Sequence, residues 1–220
     1  MNTHRLITGL LLASSLVTLS GCFPLVATGF GSGVLVAADR RSSGSYVEDE
    51  GIEWKVLNTA NQKYGSQIHL NVTAYNRSVL LTGEVANEQI RQAIASIASQ
   101  TANVKTVHNE LVVGPTSSLG NRSTDTFTTS KVKTRFVDGK AGFNANQVKV
   151  VTEGGTVFLL GLVTEREGQA ATEIARTTAG VQRVVRLFEY ITPEQARQLD
   201  ARPPEKDRSP SRYEGEAYKG

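Results

Sequence analysis

Two stretches of the chain repeat one pattern of apolar and polar positions. Ser-Val-Leu-Leu-Thr-Gly-Glu-Val at residues 78–85 matches Thr-Val-Phe-Leu-Leu-Gly-Leu-Val at residues 156–163, at a spacing of 78. Lys-Val at residues 55–56 matches Lys-Val at residues 131–132, at a spacing of 76. A spacing that changes by two residues indicates one fold used twice, with small differences in the loops.

Each copy predicts a helix, two strands joined by a tight turn, a second helix and a last strand. The predicted first helices lie near residues 50–63 and 124–138, the hairpins at 70–83 and 148–161, the second helices around 90–97 and 170–174, and the last strands at 104–113 and 181–190. The turns are Asn76-Arg77 and Gly154-Gly155, and Gly-Gly suits the positive dihedrals of a two-residue turn. The αββαβ order predicts an α+β sandwich, with two helices on one face of a three-stranded mixed sheet.

The N-terminal segment is apolar over residues 6–19 and follows a basic Arg5. A run this short does not span a bilayer, which takes roughly 20 apolar residues, so it predicts a signal peptide over residues 1–21. The Leu-Ser-Gly-Cys sequence that ends at Cys22 resembles the lipobox of bacterial lipoproteins, in which the Cys thiol is diacylated and the new amino group is acylated.

Cys22 is the single cysteine of the chain, and one cysteine in an exported protein cannot form an internal disulfide. We therefore predict that Cys22 carries a covalent acyl and diacylglycerol lipid; the alternative is an ordinary secretory signal with a chance cysteine. The lipobox resemblance implies a rule of Gram-negative lipoproteins, in which Asp after the cysteine marks inner-membrane retention. Phe23 stands there. The prediction is a lipid-anchored outer-membrane protein that faces the periplasm, with surface exposure left open.

Composition divides the rest of the chain. Residues 22–45 are rich in Gly, Ser and small apolar residues, which predicts a lipidated tether. Residues 193–220 hold four of the six prolines and few apolar residues, which predicts a disordered tail. Between them we place one domain at 46–114, a linker at 115–120 and a second domain at 121–192.

The two predicted domains differ in charge. Residues 46–114 carry five Lys and Arg against seven Asp and Glu, a net charge of −2. Residues 121–192 carry ten against seven, a net charge of +3. An exported chain does not meet the chromosome. The predicted partner of the basic domain is therefore lipid headgroups or another envelope polyanion, and not nucleic acid.

The repeated unit, with a V-x-L-x-G-x-V strand after its hairpin, resembles the BON domain. Two such units behind a lipobox resemble the outer-membrane lipoproteins of the DolP family, formerly YraP. The resemblance is carried by Asn-Val-Thr-Ala-Tyr at 71–75, Val-Leu-Leu-Thr-Gly at 79–83, Asp-Thr-Phe-Thr-Thr-Ser-Lys-Val at 125–132 and Gly-Leu-Val-Thr-Glu-Arg-Glu at 161–167. It implies two tandem BON domains, binding of anionic phospholipid (mainly phosphatidylglycerol) through the second domain, maintenance of outer-membrane integrity, and accumulation at division sites.

The first helix of the second domain carries the candidate lipid site. Thr128, Val132 and Phe136 form one stripe that should face the sheet, and Phe127 lies roughly 140° from it. The polar residues near Phe127 on the helix are Ser130, Lys131 and Thr134, with Arg135 at the flank. An exposed aromatic ring among cations is typical of an interfacial membrane contact. The resemblance implies the same site, with Trp in place of Phe127; the alternative is that Phe127 packs against the linker or the first domain.

Trp54, the one tryptophan, points roughly 130° away from the stripe of Ile52, Val56 and Ala60 on the first helix. We predict that it fills the interface between the domains. The alternative is a second contact with the membrane.

The sequence offers no pattern for catalysis. His4, His69 and His108 are scattered without metal-ligand spacing, and nucleophile-elbow, P-loop and dinucleotide-binding motifs are missing. We predict no enzyme, no metal and no cofactor beyond the lipid on Cys22. Two function classes stay open: a module that binds anionic phospholipid, or a protein-interaction or chaperone-like factor that works with the outer-membrane assembly machinery.

Overall fold

The computed structural model describes residues 39–138 and 141–202. The predicted signal peptide, Cys22, most of the predicted tether and the tail beyond residue 202 lie outside the described residues.

The described chain contains the two predicted units, one after the other. The first unit consists of α1 (Ser43–Tyr64), β1 (Ile68–Tyr75), β2 (Ser78–Val85), α2 (Glu88–Gln100), β3 (Thr106–Asn109) and β4 (Val112–Val113). The second consists of α3 (Leu119–Val137), β5 (Val148–Glu153), β6 (Thr156–Val163), α4 (Glu165–Arg176) and β7 (Arg183–Tyr190), and is followed by α5 (Pro193–Asp200). Short 3₁₀ turns, Gly65–Gln67 and Ala145–Gln147, precede β1 and β5. The αββαβ order is confirmed in both units.

Both sheets have the predicted mixed topology. β1 pairs antiparallel with β2, and β5 with β6; the last strand of each unit then pairs parallel with the middle one. Tyr75 lies opposite Ser78, and Glu153 opposite Thr156. These registers confirm the two-residue turns. The strand predicted over 104–113 is divided into β3 and β4; between them the N–H of Leu111 donates to the side chain of Asn109 (3.3 Å), and both pieces keep one register with β2.

Each unit buries one stripe of its first helix against its own sheet. In α1 the buried apolar positions are Ile52, Val56 and Ala60, and in α3 the buried stripe is Thr128, Val132 and Phe136. The second helices add small residues and isoleucines at helical spacing. The stripe predicted for α3 is therefore confirmed.

The faces of the two sheets that carry no helices pack against each other. Leu81 and Leu159 point into the helix-covered cores, whereas Leu80 and Phe158 point the opposite way, because successive side chains of a strand alternate. The apolar cluster between the sheets consists of Tyr75, Leu80, Phe158, Leu160 and Leu162, with Val151, Val185, Leu187 and Ile191 packed against it. The result is a stack of helices, sheet, sheet and helices, in which both helical layers lie on the outside.

A buried aspartate from the first helix of each unit holds that unit's hairpin turn. The backbone N–H groups of Asn76 and Arg77 donate to Asp49 (2.8 and 2.7 Å). In the second unit, the N–H groups of Gly154 and Gly155 donate to Asp125 (2.9 Å each). Both turns have positive φ at their two central residues, and the carboxylate satisfies the N–H groups that this conformation turns inward.

The end of the predicted tether is folded, so the prediction for residues 39–45 is wrong. Arg40 is 3% exposed; its Nη1 donates to Glu167 (2.7 Å) and its Nε to Asp200 (2.8 Å). Arg41 donates to Asp49 (2.8 Å) and lies over the ring of Tyr75, 4.2 Å from its centroid. Composition did not reveal this, because the burial of both arginines depends on partners supplied by other elements.

The prediction of disorder is also wrong for the start of the tail, where α5 forms. Its first turn is stabilised by the Thr192 side chain, which accepts from the N–H of Gln195 (3.2 Å), and by Pro193 at the first helical position. Ala196 is buried, and Asp200 is bound by Arg40. A helix of eight residues forms here because it is capped at its N-terminus, packed through Ala196 and held at Asp200 by Arg40.

Two helices begin earlier than predicted. Ser42 and Ser118 accept hydrogen bonds from the N–H groups of Ser45 and Asn121 and cap α1 and α3. The predicted linker at 115–120 therefore ends inside the first turn of α3.

We expect Asp125→Ala to lower the free energy of unfolding by about 2–3 kcal/mol, because two buried N–H groups lose a charged acceptor. Urea unfolding followed by circular dichroism measures this change. Asp138→Ala, at the exposed end of α3, is the control and should change the stability by less than about 0.5 kcal/mol. Equal values for the two variants would contradict the role of Asp125.

The Arg40 contacts predict a pH dependence. Burial would raise the pKa of Glu167, but hydrogen bonds from Arg40 and from the N–H of Thr164 outweigh it and hold the pKa below its usual value of 4.5. A carboxylate with a lowered pKa stabilises the fold above its unfolded pKa and loses that contribution as the pH falls through its folded pKa. We therefore expect Arg40→Met to be less stable near neutral pH, with the difference shrinking as the pH falls below 4.5.

Urea unfolding of both chains across the acidic range checks this expectation. Arg197→Met is the control, because the ion pair of Arg197 with Glu194 is exposed and should contribute less than about 1 kcal/mol at any pH. A constant difference between Arg40→Met and the unsubstituted chain at all pH values would refute the linkage.

Candidate functional site

Helix α3 turns an aromatic side chain to solvent. Phe127 is 63% exposed, on the side of the helix opposite the buried stripe. The alternative in which Phe127 packs against the linker or the first domain is therefore wrong. The back-to-back packing of the sheets explains this exposure, because it places α3 on the outside of the stack.

Lys131 lies next to this ring. Its ammonium is 4.5 Å from the centroid of Phe127, and its Nζ donates to the carbonyl of Ala179 (3.0 Å). Gly180 allows the loop to approach so closely: its φ is +101°, and a Cβ there would lie 3.0 Å from Thr128 Oγ1. The cation and the ring predicted as neighbours are thus together, and the cation is held by the loop that follows α4.

The hydroxyl groups predicted for the site, Ser130 and Thr134, are exposed on the same side of α3. Each donates to the carbonyl four residues earlier, Ser130 to Thr126 (3.0 Å) and Thr134 to Ser130 (2.9 Å). In this rotamer their oxygens are acceptors, and a hydrogen bond to a phosphate requires the hydroxyl to leave the carbonyl.

Arg135, predicted at the flank of the lipid site, is hydrogen-bonded to groups of its own domain. Its Nη1 donates to the carbonyl of Ile174 (2.7 Å) and to the hydroxyl of Thr178 (2.7 Å), at the end of α4. This guanidinium nitrogen thus links α3 to the C-terminal end of α4 by hydrogen bonds. Arg135 lies at the flank of the helix, as predicted, but it faces the second helix of its own unit.

Two apolar side chains of the same helix were missed by the sequence analysis. Leu119 and Val137 are exposed, and they lie 18 residues apart, which is five turns and about 27 Å of helix. With Phe127, Ser130 and Thr134 they share an arc of about 80°, which we call the α3 face. A count of apolar positions on the polar side of the helix could have found them.

Trp54 is 67% exposed, so the prediction that it fills the domain interface is wrong. Val47, two turns earlier on α1, is exposed beside it. A residue of α1 that does reach the second unit is Glu53, whose carboxylate accepts from Lys149 (2.9 Å). The interface is built from sheet faces, and the outer side of α1 is left to solvent.

Comparison with known proteins identifies the repeated unit. The BON domain model matches residues 49–115 and 124–192. The outer membrane lipoprotein DolP of Haemophilus influenzae is 36% identical over 184 residues, which cover 82% of this chain and 94% of that protein. The 21 kDa hemolysin of Actinobacillus pleuropneumoniae is 31% identical over 155 residues, which cover 70% of this chain and 79% of that protein.

Among solved structures, CdsD of the Chlamydia trachomatis type III secretion system is similar at a TM-score of 0.28 and 14% identity, covering 72% of this chain and 99% of that one. Within residues 39–138 and 141–202, no helix is long and apolar enough to cross a membrane. The two BON matches and the extent of the similarity to DolP lead to one conclusion: the chain belongs to the DolP family of dual BON-domain proteins.

Proposed function

We propose that this protein is a lipid-anchored outer-membrane lipoprotein that binds anionic phospholipid, mainly phosphatidylglycerol, through the α3 face, and thereby maintains outer-membrane integrity and acts at division sites. It works by binding and not by catalysis. The anchor is the lipid on Cys22, at the end of the lipobox-like sequence. The outer-membrane location is supported by the name of the Haemophilus influenzae relative, outer membrane lipoprotein DolP.

The observation that carries the proposal is the exposed Phe127 ring with the Lys131 ammonium 4.5 Å from its centroid. An apolar ring enters the boundary between headgroups and acyl chains, while the adjacent cation pairs with phosphates. Leu119 and Val137 extend the apolar surface toward both ends of the helix. The net charge of +3 over residues 121–192 favours an acidic membrane over a zwitterionic one.

The magnitudes fit a weak site that depends on an anchor. Insertion of a Phe side chain contributes about 1.5–3 kcal/mol. Each cation near an anionic surface adds about 1 kcal/mol. A lipid anchor on the same chain raises the local concentration of the site to the millimolar range. At that concentration a small binding free energy is enough to make the site select anionic over zwitterionic lipid.

Phe127→Glu tests the proposal in a chain that lacks residues 1–22, so that an anchor cannot bind vesicles by itself, with lipid at millimolar concentration to replace the local concentration that the anchor would supply. We expect it to abolish sedimentation with phosphatidylglycerol vesicles, because a carboxylate replaces the inserting ring, while circular dichroism stays unchanged because the site is exposed. Lys131→Gln should weaken binding about fivefold, the equivalent of about 1 kcal/mol.

The matched control is Trp54→Glu, which places the same charge on the first helix of the other domain at an equally exposed aromatic. It should bind vesicles as the unsubstituted chain does. Unchanged binding by Phe127→Glu would refute the α3 face as the lipid site, and equal losses in both variants would point to a general effect of charge.

A second candidate function is the binding of a protein partner, for example of the outer-membrane assembly machinery, through α1. Val47 and Trp54 form an exposed apolar pair on α1, with the exposed Glu50 on the same side and Lys55 at the flank, in a domain whose net charge is −2. Acidic neighbours disfavour an anionic membrane and suit a basic protein surface.

A photo-crosslinking amino acid at position 54 tests this second function in living cells, with position 127 as the comparison. A discrete protein adduct from position 54 alone would support a partner at α1. Lipid adducts from both positions would instead make α1 a second membrane contact, the alternative that the sequence left open.

A further inference from the structure

Three metal-ligating side chains meet at the edge of the interface between the two sheets. Among the residues that the structure describes, one ligand atom each of His69, Glu84 and Glu153 lie within 4.8 Å of one another. His69 and Glu84 stand directly opposite each other on β1 and β2, on the face that meets the second domain. Glu153 is the last residue of β5, so the cluster combines groups from both domains.

Neighbouring groups already orient these ligands. His69 Nδ1 lies 2.9 Å from Glu84 Oε2, and the N–H of Ser117 donates to the same oxygen (3.1 Å). Asn71 Nδ2 donates to Glu153 Oε2 (2.8 Å). Contacts such as those from Ser117 and Asn71, which come from groups outside the ligand set, fix the orientation of metal ligands in proteins and tune their basicity, whereas the contact of His69 with Glu84 joins two of the ligands directly.

The cluster is accessible from solvent through a groove between the domains. The groove has a volume of about 500 Å³ and is lined by β1, β5 and α3, with His69 and Glu153 at its wall. The side chains of His69 and Glu84 are about one-sixth exposed. A hydrated ion can therefore reach the ligands, and the partial burial strengthens its attraction to the carboxylates.

The charges at this place favour a cation. Two carboxylates lie within 4.8 Å of each other beside one imidazole, and like charges so close repel each other. Two cations also line the groove: Arg122, which donates to the hydroxyl and the carbonyl of Ser117, and Lys133 of α3. A divalent cation bound between the two carboxylates attracts both of them and so offsets their mutual repulsion.

We propose that His69, Glu84 and Glu153 bind Zn²⁺ and that the ion links the first BON domain to the second. A neutral imidazole nitrogen and two carboxylate oxygens suit this ion, with water as a fourth ligand. Zn–N and Zn–O bonds are about 2.0–2.2 Å long, so the donor atoms must draw closer together than 4.8 Å, and the side chains of Glu84 and Glu153 must shift from their present hydrogen-bonded positions to bind the ion. The inference does not rest on the proposed function, because the ligands lie outside the α3 face.

The experiment uses the full chain after removal of its signal peptide, purified in detergent and stripped of metal with a chelator. Calorimetric titration with ZnCl₂ should show one saturable site per chain. The ion binds the folded domains, so Zn²⁺ should also raise the temperature of unfolding. Co²⁺ in place of Zn²⁺ should give the visible absorption bands of a tetrahedral site.

Three variants make the result specific. His69→Ala and Glu153→Gln should each raise the dissociation constant at least about tenfold and remove the Co²⁺ bands. His108→Ala is the control: His108 also lies on a strand of the first domain, but outside the cluster, and its variant should bind Zn²⁺ normally. Glu153→Gln keeps the shape of the side chain, so it is informative even if His69→Ala unfolds.

The absence of saturable binding to the unsubstituted chain would overturn the proposal. Unchanged binding by Glu153→Gln would overturn the link between the domains. A loss of binding in His108→Ala equal to that in His69→Ala would assign the ion to another place.

Discussion

The arrangement of the two BON domains depends on apolar contact between their sheets. Strand β6 is apolar on both sides: Leu159 enters the core under the helices, and Phe158 and Leu160 enter the core between the domains. A strand buried on both faces is a near-continuous apolar run, as Val-Phe-Leu-Leu-Gly-Leu-Val is here. Because the sheets meet directly, each domain's helices face away from the other domain, and α1 and α3 become the outer surfaces available to a membrane or a partner.

These two outer helices occupy the same place in the repeat but differ in chemistry. At a spacing of 76, Gly51 stands where Phe127 is, and Trp54 stands where Ser130 is. Both helices thus expose aromatic rings, Trp54 and Tyr46 on α1 and Phe127 on α3, but at different positions of the repeat and among different charges. The aspartates that hold the hairpins, Asp49 and Asp125, keep the same spacing. The repeat therefore conserves the residues that build the fold and varies those that face solvent.

Sequence patterns predicted correctly those features of the structure that depend only on residues close together in the chain. The hairpin turns, the αββαβ order, the stripe of α3 and the outward direction of Phe127 follow from periodicity and turn chemistry within a few residues. The direction in which Trp54 points from its own helix was also predicted correctly, because it depends only on helix geometry. The surroundings of Trp54 were predicted wrongly, because they depend on which faces of two distant sheets pack together. Arg40 was missed for the same reason, since Glu167 lies 127 residues away and Asp200 lies 160 residues away.

The position of Arg40 has a mechanical consequence. The chain contacts the second BON domain through Arg40 before it enters α1 of the first, and Arg40 lies 18 positions after Cys22, a reach of at most about 65 Å. Tension applied to the N-terminal end is borne first by the guanidinium contacts with Glu167 and Asp200. In the proposed lipid-anchored protein, such tension would load the contacts of Arg40 with Glu167 and Asp200 together with the contact of Arg41 with Asp49 in the first domain.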